Sequence, residues 1–244
     1  MDTTYAREYR DLYRRHWWWR ARERFILEQL RAMRPGAGWG HILDVGCGGG
    51  VFFPELARLG DVEGIEPDAA IVDPSDPFSA RVHVRPFDAT FRPAHRYGLM
   101  LMLDVLEHMP DPDAALAHAL TLLEPGGVLV ATVPAFMLLW TRHDVLNRHY
   151  TRYTRSRVER LARGSGFEVL GTRYFYHWLF PAKLATRAIE SLRPSAAPDA
   201  PRVPAGWLNS LLYAVSRAEQ RWLSALHLPF GSSVLLVARK PIHA

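Results

Sequence analysis

Several common features are scarce or absent in this sequence of 244 residues. Cys47 is the single cysteine, which excludes an intramolecular disulfide and a cysteine-based metal site and is typical of a reducing compartment. No run approaches the roughly 18 apolar residues that a membrane-spanning helix needs. The opening stretch MDTTYAREYRDLYRRHWWWR lacks the apolar core of a signal peptide, so we predict a cytoplasmic protein.

The positive charge of the chain is almost entirely arginine. The net charge is +5 and the isoelectric point is near 9.6, yet Lys183 and Lys240 are the only lysines. Basic residues concentrate only in the first 34 residues, where a salt-bridged solvent face and an anion-binding surface are alternatives. Because no dense basic tract, N/D-P-P-Y motif or added nucleic-acid module is present, no nucleic-acid partner is expected. The oligomeric state is not predicted.

The order of predicted elements indicates one α/β domain over residues 1–244. Strands and helices alternate through its middle, which is the rhythm of a mostly parallel sheet with helices on both faces. A proline-rich link then separates two apolar helical stretches. We divide the chain into an N-terminal helical lid (1–34), a core (35–178), a helical insertion (179–230) and a final strand (231–244).

The predicted elements follow from apolar periodicity and from proline and glycine breaks. Predicted strands are HILDV, VEGIE, VHVRPF, YGLMLML, GVLVATV, FEVLGTRYFYHW and SSVLLVARK. Predicted helices are one or two within residues 5–33, one at about 51–59, DPDAALAHALTLL, RSRVERLARGSG, 179–192 and 206–227.

The stretch HILDVGCGGG places four glycines within five positions, directly after the first predicted strand. A tight turn at the carboxyl end of a strand is where open α/β sheets bind ligands, and small residues let a ligand lie against the main chain. No Gly-Lys-Ser/Thr follows, which excludes a P-loop. Val51 stands where the dinucleotide fingerprint G-x-G-x-x-G requires glycine, so that motif is excluded as well.

Acidic residues end the first three predicted strands. Asp44 precedes the glycines and would repel a phosphate, so it suits a cationic ligand. Glu66 is about twenty residues further on, where a carboxylate can accept hydrogen bonds from both ribose hydroxyls. Asp88 offers an acceptor for an exocyclic amine such as that of adenine. An amino-acid end, a ribose and an adenine describe S-adenosylmethionine.

Successive motifs over residues 40–135 resemble those of class I S-adenosylmethionine-dependent methyltransferases. The motifs are ILDVGCGGG, GIEPD, FDAT, LMLMLDVLEHMPDP and LLEPGGVLVATVPAF. The core is similar to that of methyltransferase type 11 and ubiquinone O-methyltransferases. The resemblance implies a seven-stranded, mostly parallel Rossmann-like sheet whose antiparallel last strand is SSVLLVARK.

The resemblance also implies the cofactor contacts, and residues 35–178 become the cofactor-binding core. Residues expected at the methionine and ribose are Asp44, Gly46, Cys47, Gly48, Gly50 and Glu66; those expected at the adenine are Phe87 and Asp88; those expected beside the methionine end are Met102, Leu103 and Asp104. For Cys47 we expect a small residue that fits the turn, in preference to a redox role. Three prolines in the stretch IEPDAAIVDPSDPFSARVHV, which starts at the end of the second predicted strand, depart from the family pattern.

The three adjacent tryptophans Trp17, Trp18 and Trp19 cannot all face one side of a helix. They could simply pack the first helices onto the sheet. Alternatively, those helices lie over the mouth of the cofactor site, where the indoles of Trp18 and Trp19 favour a sulfonium charge. Arg22, or Arg20, would then pair with the methionine carboxylate, as in relatives with a similar segment.

Catalytic candidates lie in two segments. His108 belongs to DVLEHMPDP, which resembles a stretch of ubiquinone-pathway enzymes, some of which use magnesium. Asp104, Glu107 and His108 would share one helical face, but we expect an ordinary helix start and no metal. WTRHDVLNRHYTRYT holds a dense polar and aromatic cluster, in which His143, His149 and Tyr150 are the catalytic candidates and Asp144, Arg152 and Tyr153 their neighbours; packing or solvent contact is the alternative. A histidine would be needed as base for an oxygen acceptor of high pKa.

The late insertion bears on the methyl acceptor. Its second stretch carries an apolar helical stripe: Leu208, Leu211, Leu212, Val215, Trp222, Leu223 and Leu226. We expect this stripe to be core; if it were exposed, it would suit a lipophilic substrate or a membrane surface. The sequence thus predicts methyl transfer to a small, lipophilic metabolite, at oxygen. The alternatives are a methyltransferase for RNA or protein, and a cofactor-binding protein without turnover.

Overall fold

The computed structural model describes residues 10–192, 202–223, 226 and 228–242. Its seven strands are β1 (His41–Val45), β2 (Asp61–Glu66), β3 (Val82–Val84), β4 (Tyr97–Leu103), β5 (Leu123–Pro134), β6 (Glu168–Phe175) and β7 (Ser233–Arg239). They form one sheet in the order β3-β2-β1-β4-β5-β7-β6. All neighbouring pairs are parallel except those of β7, which runs antiparallel to β5 and β6. The predicted methyltransferase-type sheet is confirmed.

Helices cover both faces of this sheet. They are α1 (residues 10–15), α2 (Trp17–Met33), α3 (Phe53–Leu56), α4 (Pro112–Leu122), α5 (Arg142–Leu146), α6 (Arg155–Gly164), α7 (Leu179–Leu192) and α8 (Gly206–Trp222). The described N-terminal part is thus two helices that break at His16, whose ring Nδ1 accepts a hydrogen bond from Trp18 N at the start of α2. Residues 5–9 of the predicted segment lie outside the described residues.

Two apolar cores form because successive strand residues point to opposite faces. In β4, Met100 and Met102 pack on the side of α4 and α6, whereas Leu99 and Leu101 pack on the side of α2 and α3. Both sets are fully buried, as continuous apolar runs in parallel strands predict. The carboxyl ends of β1, β2 and β4 are thereby held at one edge of the sheet.

Several predicted elements are shorter in the structure. The helix expected at about 51–59 is reduced to α3, because turns that start in the glycine segment continue through Phe52. The strand VHVRPF ends at Val84, two residues before Pro86, which cannot donate to a ladder. The helix expected over 206–227 ends at Trp222. Residues 224, 225 and 227 lie outside the described residues.

The apolar stripe of the insertion is not core, contrary to expectation. Leu211, Val215, Trp222 and Leu226 are exposed, while Leu208, Leu212 and Leu223 are half-buried. The reason is that α2 already covers this face of the sheet with Phe25, Ile26 and Leu30, so α8 packs on α2 from outside. None of the described helices combines the length and the hydropathy that a membrane crossing requires.

Gly98 tests how tightly the central strand is packed. A Cβ at Gly98 would lie 2.1 Å from the carbonyl oxygen of Trp39, which belongs to the backbone and cannot turn away. We expect Gly98→Ala to lower the free energy of unfolding by about 1–3 kcal/mol, because the overlap must be relieved by moving main chain. Urea denaturation measures the difference. Gly171→Ala in β6 is the control, since nothing lies within 4 Å of its Cβ, and equal stability losses in both variants would contradict the expectation.

Candidate active site

The glycine turn closes against two neighbouring strands. Gly46, Gly48 and Gly50 have φ of +70°, +55° and +72°, a conformation that favours glycine. The backbone N–H of Gly46 donates to Ile65 O of β2 at 2.8 Å. A Cβ at Gly46 would stand 2.8 Å from a methyl group of Val105, which follows β4. The predicted turn therefore exists, and it leaves main chain facing the carboxyl edge of the sheet.

Glu66 is fixed by this turn at the end of β2. Its Oε2 accepts a hydrogen bond from Gly48 N at 3.0 Å, and its Oε1 accepts one from Asp68 N at 3.0 Å. Burial raises the pKa of Glu66, and these two backbone donors oppose the rise. A carboxylate oxygen accepts more than one hydrogen bond. Both oxygens can therefore still accept from a pair of hydroxyls.

Asp44 is buried at the end of β1, beside the glycine turn. Burial raises the pKa of its carboxyl to about 7, Arg22 opposes the rise, and Glu66 adds to it. An acid in this state gains from a cationic neighbour, which would restore its charged form. Cys47 is buried as well, and burial together with Asp44 raises the pKa of its thiol, so it is an inert small residue of the turn.

A buried ion pair joins α2 to the end of β4. Arg22 Nη2 lies 2.7 Å from Asp104 Oδ2 and donates to Thr132 Oγ1 at 3.0 Å. The hydroxyl of Thr132 in turn donates to Asp104 Oδ1 at 3.0 Å. Asp104 has a φ of +56°, which is unusual for a residue other than glycine. Arg22 and Asp104, two predicted cofactor contacts, are therefore direct partners.

The tryptophan segment lies next to this pair. The guanidinium of Arg22 is 5.4 Å from the ring centroid of Trp18, and that ring stacks on Tyr176. Trp19 meets Trp18 edge to face and is half-buried. Trp17 is buried, so only two of the three indoles are partly accessible. Arg20, by contrast, lies over the ring of Tyr213 on α8 and points away from the glycine turn.

The two predicted adenine contacts, Phe87 and Asp88, follow β3 and differ in solvent exposure. Phe87 is half-buried, with its ring 5.1 Å from that of His118. Asp88 is exposed, and its Oδ1 accepts from both the backbone N–H and the hydroxyl of Thr90. The hydrogen bonds from Thr90 lower the pKa of Asp88. Met102 is buried at the end of β4, and the adjoining Leu103 is half-buried.

The proline-containing segment after Glu66 folds over the glycine turn. A Cβ at Gly49 would lie 2.8 Å from the carbonyl oxygen of Ile71. Arg10 of α1 holds this segment, with Nη1 at 3.3 Å from Asp73 and at 3.3 Å from Asp76. Sequence reasoning missed this contact, because the link joins residues more than sixty positions apart.

His149 is oriented by a buried carboxylate. Its Nδ1 lies 2.8 Å from Asp144 Oδ1. Arg152 donates to both oxygens of Asp144 from Nε at 2.8 Å and from Nη2 at 2.9 Å. Burial would raise the pKa of Asp144, but the hydrogen bonds from His149 and Arg152 hold it well below its usual range. The carboxylate must accept from Nδ1–H, so Nε2 of His149 is left as the accessible nitrogen.

His149 belongs to a cluster with Glu107 and His108. One donor atom from each of the three residues lies within 4.8 Å of the others, and the two imidazole rings meet at 4.6 Å. Burial and the neighbouring Asp104 raise the pKa of Glu107 well above its usual value. Burial and His149 lower the pKa of His108.

The geometry of this cluster corrects the expected helix start. Residues Leu106–His108 form a single 3-10 turn, and α4 begins only at Pro112 with Asp111 as its cap. Asp104 pairs with Arg22 instead, and the third residue beside Glu107 and His108 is His149. Two imidazoles and one carboxylate suit a transition metal better than magnesium, which takes oxygen ligands.

The other two catalytic candidates lie further out. His143 is exposed on α5, with its ring Nε2 3.1 Å from Asn147 Nδ2. Tyr150 is exposed, and only its backbone reaches the cluster, donating from N to Glu107 O at 2.7 Å. Sequence reasoning missed Thr132 and the pairing of Asp144 with His149 and Arg152, although it placed these three residues in one polar cluster. For Asp144 a signal was present, because Thr141 and Asp144 form a capping box readable in the sequence.

A separate cleft of about 560 Å³ opens at the opposite edge of the sheet. Trp39, Gly98, Glu124 and Gly127 are among its lining residues, and they lie at the amino ends of the parallel strands. The glycine turn and the histidine cluster are at the carboxyl ends. The cleft therefore takes no part in the site.

The fold and the glycine turn together define a nucleotide-type cofactor site of the methyltransferase class. Comparison with known proteins agrees: a model described as a methyltransferase domain matches residues 8–172, more than half of the chain. The chain belongs to this methyltransferase-domain family. It is an S-adenosylmethionine-dependent methyltransferase, as predicted, and the buried acids, the glycine turn and the two-oxygen acceptor at Glu66 fit that cofactor.

Named relatives support the same class. The ubiquinone biosynthesis O-methyltransferase of Cupriavidus pinatubonensis is 28% identical over 186 residues, which cover 65% of this chain and 75% of the relative. Against the enzyme of that name from Coxiella burnetii, the match spans only 41% of the relative's length.

Solved structures share the fold. A putative methyltransferase in complex with the Haloferax volcanii Trm112 activator has a TM-score of 0.62 at 16% identity, over 99% of this chain and 96% of that one. The N-methyltransferase NodS of Bradyrhizobium japonicum, in complex with S-adenosylhomocysteine, has a TM-score of 0.54 at 13% identity, over 91% of this chain and 87% of that one.

Asp44 gives the unliganded protein a specific pH dependence. Its folded-state pKa of about 7 exceeds the ordinary value of 3.8, so the folded state binds the proton more tightly than the unfolded state. Stability is lost as pH rises between these values, and the full penalty applies above the folded-state pKa. We therefore expect Asp44→Asn to melt at a higher temperature than wild type at pH about 8, with little difference at pH about 4.

Thermal melts without cofactor at the two pH values measure this effect. Asp113→Asn is the matched control, because Asp113 is an exposed acid in the first turn of α4. An Asp44→Asn variant that is no more stable than wild type in alkaline buffer would show that Asp44 carries no burial penalty.

Proposed function

We propose that this chain methylates an oxygen atom of a small, lipophilic metabolite. The observation that carries the proposal is the Asp144–His149 pair, which lies in the cluster with Glu107 and His108. A hydroxyl acceptor of high pKa must lose its proton when it attacks a methyl group. A histidine oriented by a carboxylate is a suitable group to receive that proton.

The binding half of the proposed mechanism uses the glycine turn and the acids around it. Glu66 would accept hydrogen bonds from the two ribose hydroxyls, and the glycines would leave room for the methionine and ribose. Asp44 would face the positive amino-acid end, with Phe87 and Asp88 at the adenine. When bound, S-adenosylmethionine supplies an electrophilic methyl group. The protein's task is then to align the acceptor and exclude water, and such alignment alone is worth roughly 7–11 kcal/mol.

The N-terminal helices would act as the lid of this site. Arg22 holds α2 to Asp104, Arg10 holds α1 to the segment over the glycine turn, and Trp18 and Trp19 are half-buried between them. An indole face stabilises a nearby cation by roughly 0.5–2 kcal/mol, depending on how far the pair is desolvated. We therefore retain both tryptophans as contacts of the sulfonium end.

In the acceptor half, His149 would take the hydroxyl proton on Nε2 while the new oxygen–carbon bond forms. The resulting imidazolium is stabilised by Asp144, which stays ionised because Arg152 and Thr141 also donate to it. His108 lies against His149 and would help to place the acceptor. His143 and Tyr150 would contact the acceptor from the solvent side.

The segment around this cluster supports a lipophilic acceptor. It carries exposed apolar side chains on both sides of His149: Met137, Leu138, Val145, Leu146 and Tyr150. Exposed apolar groups next to a cofactor site are typical of a binding surface for an apolar molecule. The ubiquinone O-methyltransferase names of the relatives point to an acceptor of this kind. We further propose that the reaction takes place in the cytoplasm, where the buried thiol of Cys47 stays reduced.

Glu66→Gln tests the cofactor half. The change replaces one carboxylate oxygen with a donor and removes the charge, so we expect affinity for S-adenosylmethionine and S-adenosylhomocysteine to fall by about tenfold or more. Calorimetric titration measures both affinities. Asp113→Asn is the control, and a thermal melt checks that the Glu66 variant is folded. Wild-type affinity in a folded variant would remove Glu66 from the site.

His149→Gln tests the acceptor half. With alkyl-substituted phenols and catechols as acceptors, we expect kcat to fall by about 10²- to 10⁴-fold because the proton has no acceptor. The variant should also lose the acidic limb of the pH–rate profile. Transfer of a labelled methyl group is the measurement. His41→Gln is the control, since His41 begins β1 at the far edge of the sheet.

Two results would contradict the role of His149 as the base. If the variant matched wild type in kcat and pH profile, His149 would not be the base. If a chelator abolished wild-type transfer and added Zn²⁺ or Mn²⁺ restored it, the cluster with Glu107 and His108 would hold a metal. Absence of transfer to any hydroxyl acceptor, with cofactor binding intact, would count against an oxygen acceptor.

A further inference from the structure

Helix α8 is amphipathic, but its polar face is buried and its apolar face is exposed. Its buried residues are all polar: Asn209, Ser216, Glu219 and Gln220. On the opposite side, the exposed fractions of Trp207, Leu211, Val215 and Trp222 are 72%, 51%, 39% and 73%. At 100° per residue these four positions lie within about 80° of one another, so they form a continuous apolar strip, here called the outer strip.

The polar side of α8 is hydrogen-bonded to the rest of the protein at two places along the helix. Asn209 accepts from Trp17 N at 2.9 Å and donates to Arg15 O at 2.9 Å. Glu219 accepts from the backbone N–H groups of His177 and Trp178, each at 2.9 Å. These hydrogen bonds fix the rotation of the helix about its axis. The outer strip is therefore exposed by specific contacts, because turning it inward would break them.

The exposed charge of α8 itself is positive. Glu219 is the only acid of α8, and it is buried. Arg221 is exposed next to Trp222, with its guanidinium 6.0 Å from that ring. Arg217, one turn earlier, is half-buried and pairs with Glu28 of α2 at 2.5 Å, whereas Arg20 of α2 is exposed and lies over the ring of Tyr213 on the same flank. An apolar strip with tryptophans at both ends and arginines along one flank matches the headgroup boundary of an anionic membrane.

We propose that the outer strip of α8 binds the surface of a membrane that contains anionic lipid. The helix lies in the plane of the interface, Trp207 and Trp222 enter the headgroup boundary about 22 Å apart, and the arginines contact lipid phosphates. This surface is distinct from the glycine turn and the histidine cluster. The proposal goes beyond the methyl transfer reaction and does not depend on which atom is methylated.

A second copy of the chain is the less favoured occupant of this surface. Stable interfaces bury about 800 Å² on each partner and use some 20–30 residues a side. The outer strip is four side chains of one helix, and a symmetric pair would bring the exposed Arg221 side chains of both copies together. Charge complementarity therefore favours an anionic surface.

Cosedimentation of the full chain with vesicles tests the proposal. We expect binding to vesicles of phosphatidylcholine and phosphatidylglycerol, and about tenfold weaker binding to phosphatidylcholine alone. A Trp207→Gln/Trp222→Gln variant should lose at least about tenfold in partitioning to the anionic vesicles, because the anchoring indoles are gone. Arg221→Gln should lower binding to a smaller extent and reduce its sensitivity to salt.

The control is Ile242→Gln, which removes an exposed apolar side chain from another part of the surface. Calorimetric binding of S-adenosylmethionine, unchanged in the tryptophan variant, shows that the site remains folded. The proposal is overturned if wild type fails to bind anionic vesicles, if it binds neutral vesicles equally well, or if Ile242→Gln loses as much binding as the tryptophan variant. It is also overturned if sedimentation velocity finds a dimer that the tryptophan variant dissociates.

Discussion

The carboxyl edge of the sheet depends on one buried cation. Arg22 pairs with Asp104 and opposes the rise in pKa that burial imposes on Asp44 and Glu107. Ion pairs out of water are tolerated only when their remaining donors and acceptors are also bonded, and Thr132 bonds both partners here. Because Arg22 belongs to α2, loss of this helix from the sheet would leave a cluster of acids without their counter-charge. The N-terminal helices are therefore part of the site's electrostatics.

The two halves of the site are built in different ways. In the cofactor half, the main chain makes the decisive contacts: glycine N–H groups bond to Ile65 O and to Glu66, whose position follows directly from a strand end. In the acceptor half, side chains from distant turns converge, as His149 does on Glu107. A main-chain site tolerates little change in residue type, whereas a side-chain cluster can be altered one residue at a time. Such a division lets one cofactor serve many acceptors.

This division also explains what could be predicted from the sequence. Steric limits on φ and the strand period are local, so the glycine turn and Glu66 could be predicted from short motifs, whereas the seven-stranded sheet followed from the resemblance to the methyltransferases. The approach of His149 to Glu107 and the partners of Arg22 could not be predicted, because those contacts cross between elements far apart in the chain. The residues 104–108 were expected to start a helix, but a positive φ at Asp104, held by Arg22 and Thr132, redirects the chain into a separate turn.

Helix α8 shows why a hydrophobic pattern alone does not decide which face is buried. The hydrophobic period of a sequence shows that a helix has an apolar face and a polar face. The element packed against the helix decides which of the two faces is buried. Here α2 has already filled the sheet face with apolar side chains, and the junction of α1 and α2 offers α8 two backbone groups, Arg15 O and Trp17 N. Asn209 meets both of these groups, and the apolar strip is left outside. The same hydrogen bonds anchor the start of α2, and α2 carries Arg22. A displacement of α8 would therefore also displace the helix whose arginine offsets the negative charge of the cofactor site.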